Sequence, residues 1–202
     1  MGKNVRRVVH FVKRVRNRFS VYYNLFRLDM YGIKHGRKCV IHGKLYIKLF
    51  PTANVIIGDN LYFSSGWAIN ALCTNKRGIL YATQNATITI GNNVGMSSTV
   101  LWAHESITIG NHVKIGGNCI LMDTDAHNMD YVIRRGQYTD WGISSPIVIE
   151  DDVFIGANCI VLKGVTVGAR SIIAAGSVVT KSIPADCLAG GNPAKVIRSL
   201  LN

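Results

Sequence analysis

A histidine and two carboxylates within five residues form the part of the sequence best suited to chemistry. They occur in the stretch Asp123-Thr124-Asp125-Ala126-His127. Histidine is a suitable general base because its pKa lies close to neutral pH. Asp123 or Asp125 can hold the imidazole in one tautomer and stabilise the imidazolium, as an orienting carboxylate does. Aspartate also caps turns readily, so both roles are open for these two residues.

Five further histidines are weaker candidates for the base. They are His10, His35, His42, His104 and His112. His104 lies between repeats and could line a cleft, whereas His112 occupies a corner-like position in its repeat. We prefer His127 because it lies in a polar excursion from a regular pattern, and function commonly resides in such excursions from a rigid scaffold.

The pattern from which this stretch departs is a six-residue hydrophobic repeat. Six consecutive hexads between Ile149 and Val179 open with Ile or Val, and earlier hexads begin at Ile109, Ile115 and Leu121. A period of six matches no face of a helix with 3.6 residues per turn. It is typical of parallel β-coils, in which three hexads form a triangular coil whose branched side chains stack inward on the next coil. The sequence therefore predicts an all-β fold built as a parallel β-helix.

The repeat and its interruptions divide the chain into four parts. In chain order these are a basic amphipathic helix (1–30), an irregular lead-in (31–54), a β-helix (55–188) interrupted by one long loop (122–148), and a short C-terminal helix (189–202). The C-terminal helix is predicted because Pro193 stands early in a segment where basic and apolar residues alternate.

The net charge of +12 is concentrated at the N-terminus. Residues 1–30 carry eight basic residues against Asp29 alone, a net of +7, and the rest of the chain holds only +5. Apolar residues recur there at spacings of three and four, as in an amphipathic helix. Residues 1–30 can lie on an anionic membrane surface, or pack on the body or a neighbouring subunit. No nucleic-acid-binding motif accompanies the charge, so no nucleic-acid partner is expected.

Composition excludes several classes of protein. Of the 202 residues, 48% are hydrophobic and 17% charged, so the chain is not disordered. No run of about 18 apolar residues is present, which excludes a transmembrane helix. The basic residues from Lys3 to Arg18 leave no apolar region for a secretory signal. The five scattered cysteines form no CxxC pair, which favours a reducing cytoplasm over a disulfide framework or a cysteine-rich zinc site.

Two stretches resemble the hexapeptide-repeat acyltransferases, bacterial enzymes that transfer acetyl groups from acetyl-CoA. The stretch Asp123 to His127 is similar to the DTDxH loop of the branch that O-acetylates cell-surface polysaccharides or their precursors. The other runs from Pro146 to Arg198 and is shared with galactoside and maltose acetyltransferases. Its motifs are Phe154-Ile155-Gly156-Ala157-Asn158, Gly164-Val165-Thr166-Val167-Gly168, Thr180-Lys181-Ser182-Ile183-Pro184 and Gly191-Asn192-Pro193-Ala194-Lys195-Val196-Ile197-Arg198. The resemblance covers most of the chain and implies a left-handed β-helix and a homotrimer with active sites between subunits.

The resemblance also implies a binding site for acetyl-CoA. Ala157 and Ala175 match positions where small side chains let the pantetheine arm approach the backbone, and the N–H of Ala157 would stabilise the oxyanion. Lys181, Lys195 and Arg198 match positions near the 3′-phosphate of the adenosine, where cations are needed.

For the acceptor side, the resemblance assigns His127 as the catalytic base, with Asp125 or Asp123 in support. Some sugar acetyltransferases place an asparagine near the acceptor, and here Ser98 stands in that region. Trp141 can stack on a sugar ring or pack the loop against the solenoid. The expected reaction is O-acetylation of a sugar hydroxyl in a cell-surface polysaccharide or its precursor. The expected location is the cytoplasm, with peripheral contact at the inner membrane surface.

Three other functions compete with this interpretation. The same fold hosts a zinc carbonic anhydrase, but His104, His112 and His127 lack the required spacing of five, so no metal is expected. An N-acetyltransferase acting on an amino sugar or sugar nucleotide is the nearest rival, because a histidine base also serves an amine. A non-catalytic solenoid that assembles or docks on membranes is the third, and the intact DTDAH loop argues against it.

Overall fold

A long helix opens the chain and ends where the core begins. The computed structural model describes residues 2–66, 69, 70, 72, 73, 76–136 and 142–201. Helix α1, Lys3–Met30, confirms the predicted N-terminal helix. It ends in a Schellman motif, in which the N–H of Ile33 donates to the carbonyl of Leu28 at 2.9 Å and Gly32 has a φ of 66°. That left-handed conformation favours glycine. Leu28 and Ile33 are buried, so the helix end is joined to the core.

After α1 the chain winds into triangular coils, each of which contributes one strand to each of three sheets. Sheet A contains β1 (Lys34–His35), β4 (Asn54–Ile57), β7 (Thr87–Ile90), β10 (Ser106–Ile109), β13 (Ile147–Ile149) and β16 (Thr166–Val167). Sheet B contains β2 (Val40–Gly43), β5 (Tyr62–Ser65), β8 (Gly95–Ser97), β11 (Lys114–Gly117), β14 (Phe154–Ile155), β17 (Ile172–Ile173), β19 (Cys187–Gly191) and β20 (Ala194–Ser199). Sheet C contains β3 (Tyr46–Leu49), β6 (Ile79–Ala82), β9 (Val100–Ala103), β12 (Ile120–Met122), β15 (Ile160–Leu162) and β18 (Val178–Val179). The predicted parallel β-helix is confirmed.

The residues that open the hexads point into the solenoid, as the period predicts. Their exposed fraction is 0% at Ile149, Ile155, Val161, Val167, Ile173 and Val179. Parallel register places each above its counterpart, as where Ile155 pairs with Ile173 of the next coil. Full burial of such a side chain contributes about 1.5–3 kcal/mol to the free energy of unfolding. The branched interior therefore holds successive coils in register.

Side-chain oxygens at the corner between sheets A and B join each coil to the next. A side-chain oxygen of Asp59, Asn92, Asn111 or Asp151 accepts the backbone N–H of Arg37, Asp59, Asn92 or Asn111, respectively, at 2.7–2.9 Å. These N–H donors hold the pKa of Asp59 and of Asp151 below the ordinary aspartate value. We call this column the corner ladder.

The β-helix begins earlier than the sequence predicts. Residues 31–54, expected to be irregular, contain β1 to β3 and form the first coil. Ile41 and Ile47 are buried six residues apart, so the period is present there. This period is hard to recognise in the sequence because the hexad that begins at Ile47 is followed by a longer connection and not by a third hexad.

The predicted C-terminal helix is wrong, because this segment is strand β20. It runs antiparallel to β19, with Gly190 opposite Lys195 and Leu188 opposite Arg198. The β-branched residues Val196 and Ile197 favour a strand, and pairing satisfies the edge groups of β19 that a helix would leave unbonded.

Two loops leave the solenoid. The first, residues 66–78 between β5 and β6, was not predicted. Its described part lies against the fourth coil, where Asn118 Nδ2 donates to the carbonyl of Leu72 at 2.6 Å. The second, residues 123–146 between β12 and β13, matches the predicted loop closely. It contains the one-turn helix α2, Tyr131–Arg134, which Asp130 caps by accepting the N–H of Val132 at 2.8 Å.

Helix α1 docks on the first coil by one face only. The buried Asn24 donates to the carbonyls of Ile41 at 3.0 Å and Gly43 at 2.7 Å. The opposite face carries an apolar stripe with a three–four spacing, and every member is exposed: Val5, Val8, Val12, Val15, Phe19, Tyr22 and Phe26. Within the described residues, no helix has the length and apolar character needed to cross a membrane.

The outer surface of sheet C is apolar except at Lys48 of β3, whose ammonium lies over the ring of Tyr81. Parallel register aligns Ile79, Val100 and Ile120 in one row, and Tyr81, Trp102 and Met122 in the next. The outer surface of sheet A instead presents threonines, among them Thr87, Thr89 and Thr108. Of these two outward surfaces, sheet C has the composition of an interface.

The corner ladder predicts the acid sensitivity of the fold. The pKa of Asp151 is lower in the folded chain than in the unfolded one, so its contribution to stability is present above about pH 4 and is lost as the pH falls further. The substitution Asp151→Asn keeps an acceptor oxygen without a charge. At pH 7 we expect the melting temperature of this variant to be near the wild-type value. Between about pH 5 and about pH 2, its melting temperature should fall less than that of the wild type. As a control, Asp152→Asn alters a carboxylate outside the ladder and should show the wild-type fall. An equal fall in Asp151→Asn would contradict this role of the ladder.

Candidate functional site

Asp123 anchors the loop that carries His127. It is fully buried, and its carboxylate accepts the backbone N–H groups of His104 at 2.7 Å and Glu105 at 2.8 Å. Burial raises the pKa of Asp123, although the two N–H donors oppose this. Both carboxylate oxygens are thus directed at the preceding coil, which is the turn-capping role that the sequence left open for this residue.

Asp125 pairs with a lysine that sequence reasoning missed. Its carboxylate lies 3.0 Å from Lys163 Nζ, at the same corner one coil further on. The backbone carbonyl of Asp125 accepts the N–H of His127 at 2.7 Å. Gly142 packs so tightly here that an added Cβ would lie 2.9 Å from the backbone nitrogen of His127. The turn that presents His127 is therefore fixed by an ion pair on one side and by close backbone packing on the other.

An aromatic cluster lies beside this corner on the outer surface of sheet C. The rings of Tyr81 and Trp102 are 5.3 Å apart, and those of Tyr81 and His104 are stacked at 6.3 Å. Desolvation lowers the pKa of His104, although the nearby Asp123 opposes this. His104 is thus favoured in its neutral form. The sequence alone did not identify Tyr81, because its place depends on the register between β6 and β9.

Ala157 and Ala175 lie one above the other at the edge between sheets B and C. An added Cβ on Gly156 would lie 2.5 Å from the nitrogen of Ala175, and one on Gly116 would lie 2.5 Å from that of Ala157, so the coils are in close contact. In the described part of the chain, no group accepts a hydrogen bond from the backbone N–H of Ala157 or Ala175. This donor edge can offer N–H groups to an extended, amide-bearing ligand or to an oxyanion.

The three predicted phosphate-binding residues are all exposed beyond this edge. Lys181 follows β18, and Lys195 and Arg198 lie on β20. Positions three apart normally face opposite sides of a strand. A register shift between β19 and β20 places Lys195 opposite Gly190 and Arg198 opposite Leu188, so both lysine and arginine face the same side. The bulge therefore brings their charges together.

The two residues predicted to contact the acceptor are Ser98 and Trp141. Ser98 is fully buried, and its hydroxyl accepts the N–H of Gly66 at 2.9 Å. Its hydroxyl therefore holds the start of the 66–78 loop, and its contact with an acceptor stays a prediction. Trp141 lies outside the described residues. Among the residues described, no three His, Cys, Asp or Glu side chains gather as a metal site would require.

The donor edge, formed by Ala157 and Ala175, and the loop that carries His127, here called the histidine loop, lie on different edges of the triangular solenoid. Strand β15 separates Ala157 from Lys163, a distance on the order of 15–20 Å at about 3.3 Å per residue. One chain does not bring its own His127 to its own Ala157.

Comparison with known proteins agrees with the fold. Residues 146–181 match the family model described as the hexapeptide repeat of succinyl-transferase. A candidate acetyltransferase of Schizosaccharomyces pombe is 48% identical over 96 residues, which cover 48% of this chain and 44% of that protein. The chain spans less than half the length of the curated relatives it matches.

Solved structures match over more of the chain. A hexapeptide-repeat-containing acetyltransferase from Vibrio cholerae, complexed with acetyl coenzyme A, is 31% identical and superposes with a TM-score of 0.57, covering 96% of this chain and 85% of that one. A galactoside acetyltransferase in complex with coenzyme A is 28% identical with a TM-score of 0.53, covering 83% and 64% of the two chains. The likeness to the Vibrio cholerae acetyltransferase therefore extends over most of the chain.

The two aspartates should differ in their effect on stability. Asp123→Ala leaves two N–H groups without an acceptor, and we expect a loss of about 3 kcal/mol in the free energy of unfolding. Asp123→Asn keeps one acceptor oxygen and should lose about 1 kcal/mol. Asp125→Ala, the matched control, removes only an ion pair near the surface and should lose about 0.5 kcal/mol. Urea unfolding measures all three. Equal losses for the three variants would contradict the anchoring role of Asp123.

Proposed function

Since the chain belongs to the hexapeptide-repeat acetyltransferases, we propose that it transfers an acetyl group from acetyl-CoA to a sugar hydroxyl, with His127 as general base. Two neighbouring edges of the solenoid carry this proposal. At one edge, the backbone N–H groups of Ala157 and Ala175 have no acceptor among the described residues. At the next edge, an ion pair holds the turn that presents His127.

The donor edge has the features that CoA requires. The pantetheine arm carries amides that can bond to the backbone at Ala157 and Ala175, where small side chains allow close approach. Lys195 and Arg198 share one face of β20 and supply positive charge for the 3′-phosphate, together with Lys181. The coenzyme would thus lie along one edge of the solenoid, with its phosphates toward the C-terminal hairpin.

A homotrimer would complete the site. His127 is separated from the donor edge of its own chain by the width of sheet C, so the base must come from a neighbouring subunit. The apolar outer surface of sheet C supports such an assembly, because half-buried rows such as Ile79, Val100 and Ile120 lose their remaining contact with water when subunits associate. In a ring of three, each subunit offers its donor edge to the His127 loop of the next.

The proposed chemistry is direct attack on the thioester. A sugar hydroxyl oxygen bonds to the carbonyl carbon while its proton passes to a ring nitrogen of His127. The N–H of Ala157 stabilises the oxyanion of the tetrahedral intermediate. The C–S bond then breaks, and the CoA thiolate takes the proton from the imidazolium. Asp125 positions the turn of His127 through Lys163 and its own carbonyl, and Asp123 positions it by anchoring the loop.

We assign the acceptor to sugars, in a polysaccharide or its precursor, on the motif Asp123 to His127. An amino group on a sugar or sugar nucleotide is the second candidate, since a histidine base also deprotonates an amine on attack. A non-catalytic role in assembly is the third. The unpaired cysteines favour a cytoplasmic site of action, and the exposed apolar stripe of α1 with its basic neighbours supports peripheral contact with an anionic membrane.

Calorimetric titration with acetyl-CoA tests the donor edge without knowledge of the acceptor. We expect saturable binding to the wild type and about 10- to 100-fold weaker binding to Lys181→Ala/Arg198→Ala, because two charge-assisted contacts to phosphate are lost. The control Arg6→Ala/Arg7→Ala removes the same charge from the exposed face of α1 and should bind as the wild type does. Absence of binding by folded protein would overturn the enzymatic proposal and favour the assembly role.

Turnover measurements test the base and the acceptor class. CoA release is followed with a panel of methyl glycosides and the corresponding amino sugars. We expect His127→Ala to lower kcat by about a thousandfold, with the Kd for acetyl-CoA unchanged. His112→Asn is the matched control, since His112 lies at a corner with φ 59°, which asparagine tolerates. A rate retained in His127→Ala would exclude it as the base, and turnover of amino sugars alone would favour N-acetylation.

A further inference from the structure

A basic groove lies between α1 and the 66–78 loop, well away from the histidine loop. Its volume is about 630 Å³, within the range of small-molecule sites. Four of its lining side chains are cationic and none is acidic: Arg16, Lys44, Lys76 and Arg77. Among the described residues, no carboxylate lies within ion-pair range of any of the four. The groove therefore holds uncompensated positive charge that fits a multivalent anion.

The groove also has an apolar wall that continues beyond it. Phe19 and Tyr23 line it from α1, and Ile69 lines it from the loop. Phe19 belongs to the apolar stripe of α1 and is 72% exposed. A ligand with an anionic head in the groove could therefore extend a hydrocarbon chain along α1 without crossing polar surface. A purely polar anion would leave this wall in contact with water.

A polar atom lies between this groove and the cavity on the other side of α1. Asn17 lines both. Its Oδ1 is buried and has no hydrogen-bond partner in the described part of the chain. Buried acceptors of this kind are normally satisfied, and a rotation of the Asn17 side chain toward the groove would let a ligand hydroxyl satisfy this one. The second cavity adds Lys13, Arg14 and Arg18, so the positive field continues around the helix.

The position of the groove relates it to the donor edge. Gly43 ends β2 and Ser65 ends β5, and Lys44 and Gly66 follow them, so the groove lies at the same B–C edge as Ala157, which follows β14. The second and fifth coils are three strand spacings apart, or about 14 Å. The loop contacts the fourth coil at Asn118, between the groove and Ala157. A phosphate-linked saccharide long enough to pass around the loop would bring its reactive hydroxyl toward the thioester.

We propose that the groove between α1 and the 66–78 loop binds the phosphate or pyrophosphate group of a lipid-linked sugar, whose hydrocarbon chain follows the apolar stripe of α1. This inference rests on the proposed function, because it assigns the acceptor of that reaction. It joins the basic groove, the apolar wall and the shared edge in one binding mode. In this binding mode the exposed apolar stripe of α1 contacts the hydrocarbon chain of the acceptor, which would reach the protein from the membrane surface.

Geranyl pyrophosphate is a soluble probe for this site, and calorimetry compares it with inorganic pyrophosphate and with UDP. We expect the geranyl ester to bind about tenfold more tightly than either soluble phosphate, because its chain buries apolar surface. Lys76→Ala/Arg77→Ala should weaken that binding about tenfold. The control Arg6→Ala/Arg7→Ala has equal charge, lies outside the groove and should change the affinity by less than about twofold. Acetyl-CoA should bind the wild type and both variants equally.

Each contrary outcome overturns the proposal in a distinct way. Equal affinities for the geranyl ester and UDP would mean that a soluble nucleotide sugar is the phosphate source. If both double variants bound geranyl pyrophosphate with equally weakened affinity, the binding would depend on the overall positive charge of the protein and not on the groove. Binding to phosphatidylglycerol vesicles without binding to geranyl pyrophosphate would make α1 a simple membrane contact. Loss of acetyl-CoA binding in the wild type would be a failure of the proposed function itself, and it is measured separately.

Discussion

Parallel stacking of the coils is the constraint on which the rest of the structure depends. Each strand must hydrogen-bond to the strand above and below it, so residues of successive coils align in columns about 4.8 Å apart. The buried column that contains Ile155 and Ile173 fixes the register. Every corner is then repeated at the same spacing, and each edge of the prism becomes a continuous surface. The corner ladder, the donor edge and the start of the histidine loop lie on three such edges.

The separation of these edges gives the apolar outer surface of sheet C a place in the proposed site. Sheet C lies between the donor edge and the histidine loop, and its outer rows contain residues such as Val100 and Trp102. A second subunit that covers this sheet would bring its own His127 loop to the donor edge. The exposed stripe on α1 faces away from the solenoid and is left for a different contact. Assembly and membrane contact therefore need not compete for the same surface.

The sequence predicted the features that depend on local period and missed those that depend on register between distant strands. Six hexads identified the interior because one inward residue per six is a local signal. The C-terminal helix was wrong because the choice between helix and strand at Val196 is made by the open edge of β19. Lys163 and Tyr81 were missed because their partners are distant in sequence. The burial of Ser98 likewise follows from a loop that interrupts the period.

Hydrogen–deuterium exchange with and without acetyl-CoA tests the central claim most directly, because it reports where the donor binds without requiring an acceptor. The account predicts slower exchange at the backbone N–H groups of Ala157 and Ala175, which have no acceptor among the described residues. It also predicts protection at the C-terminal hairpin near Lys195, and no change in the corner ladder at Asn92. Protection confined to other parts of the solenoid, or none at a saturating concentration, would contradict it.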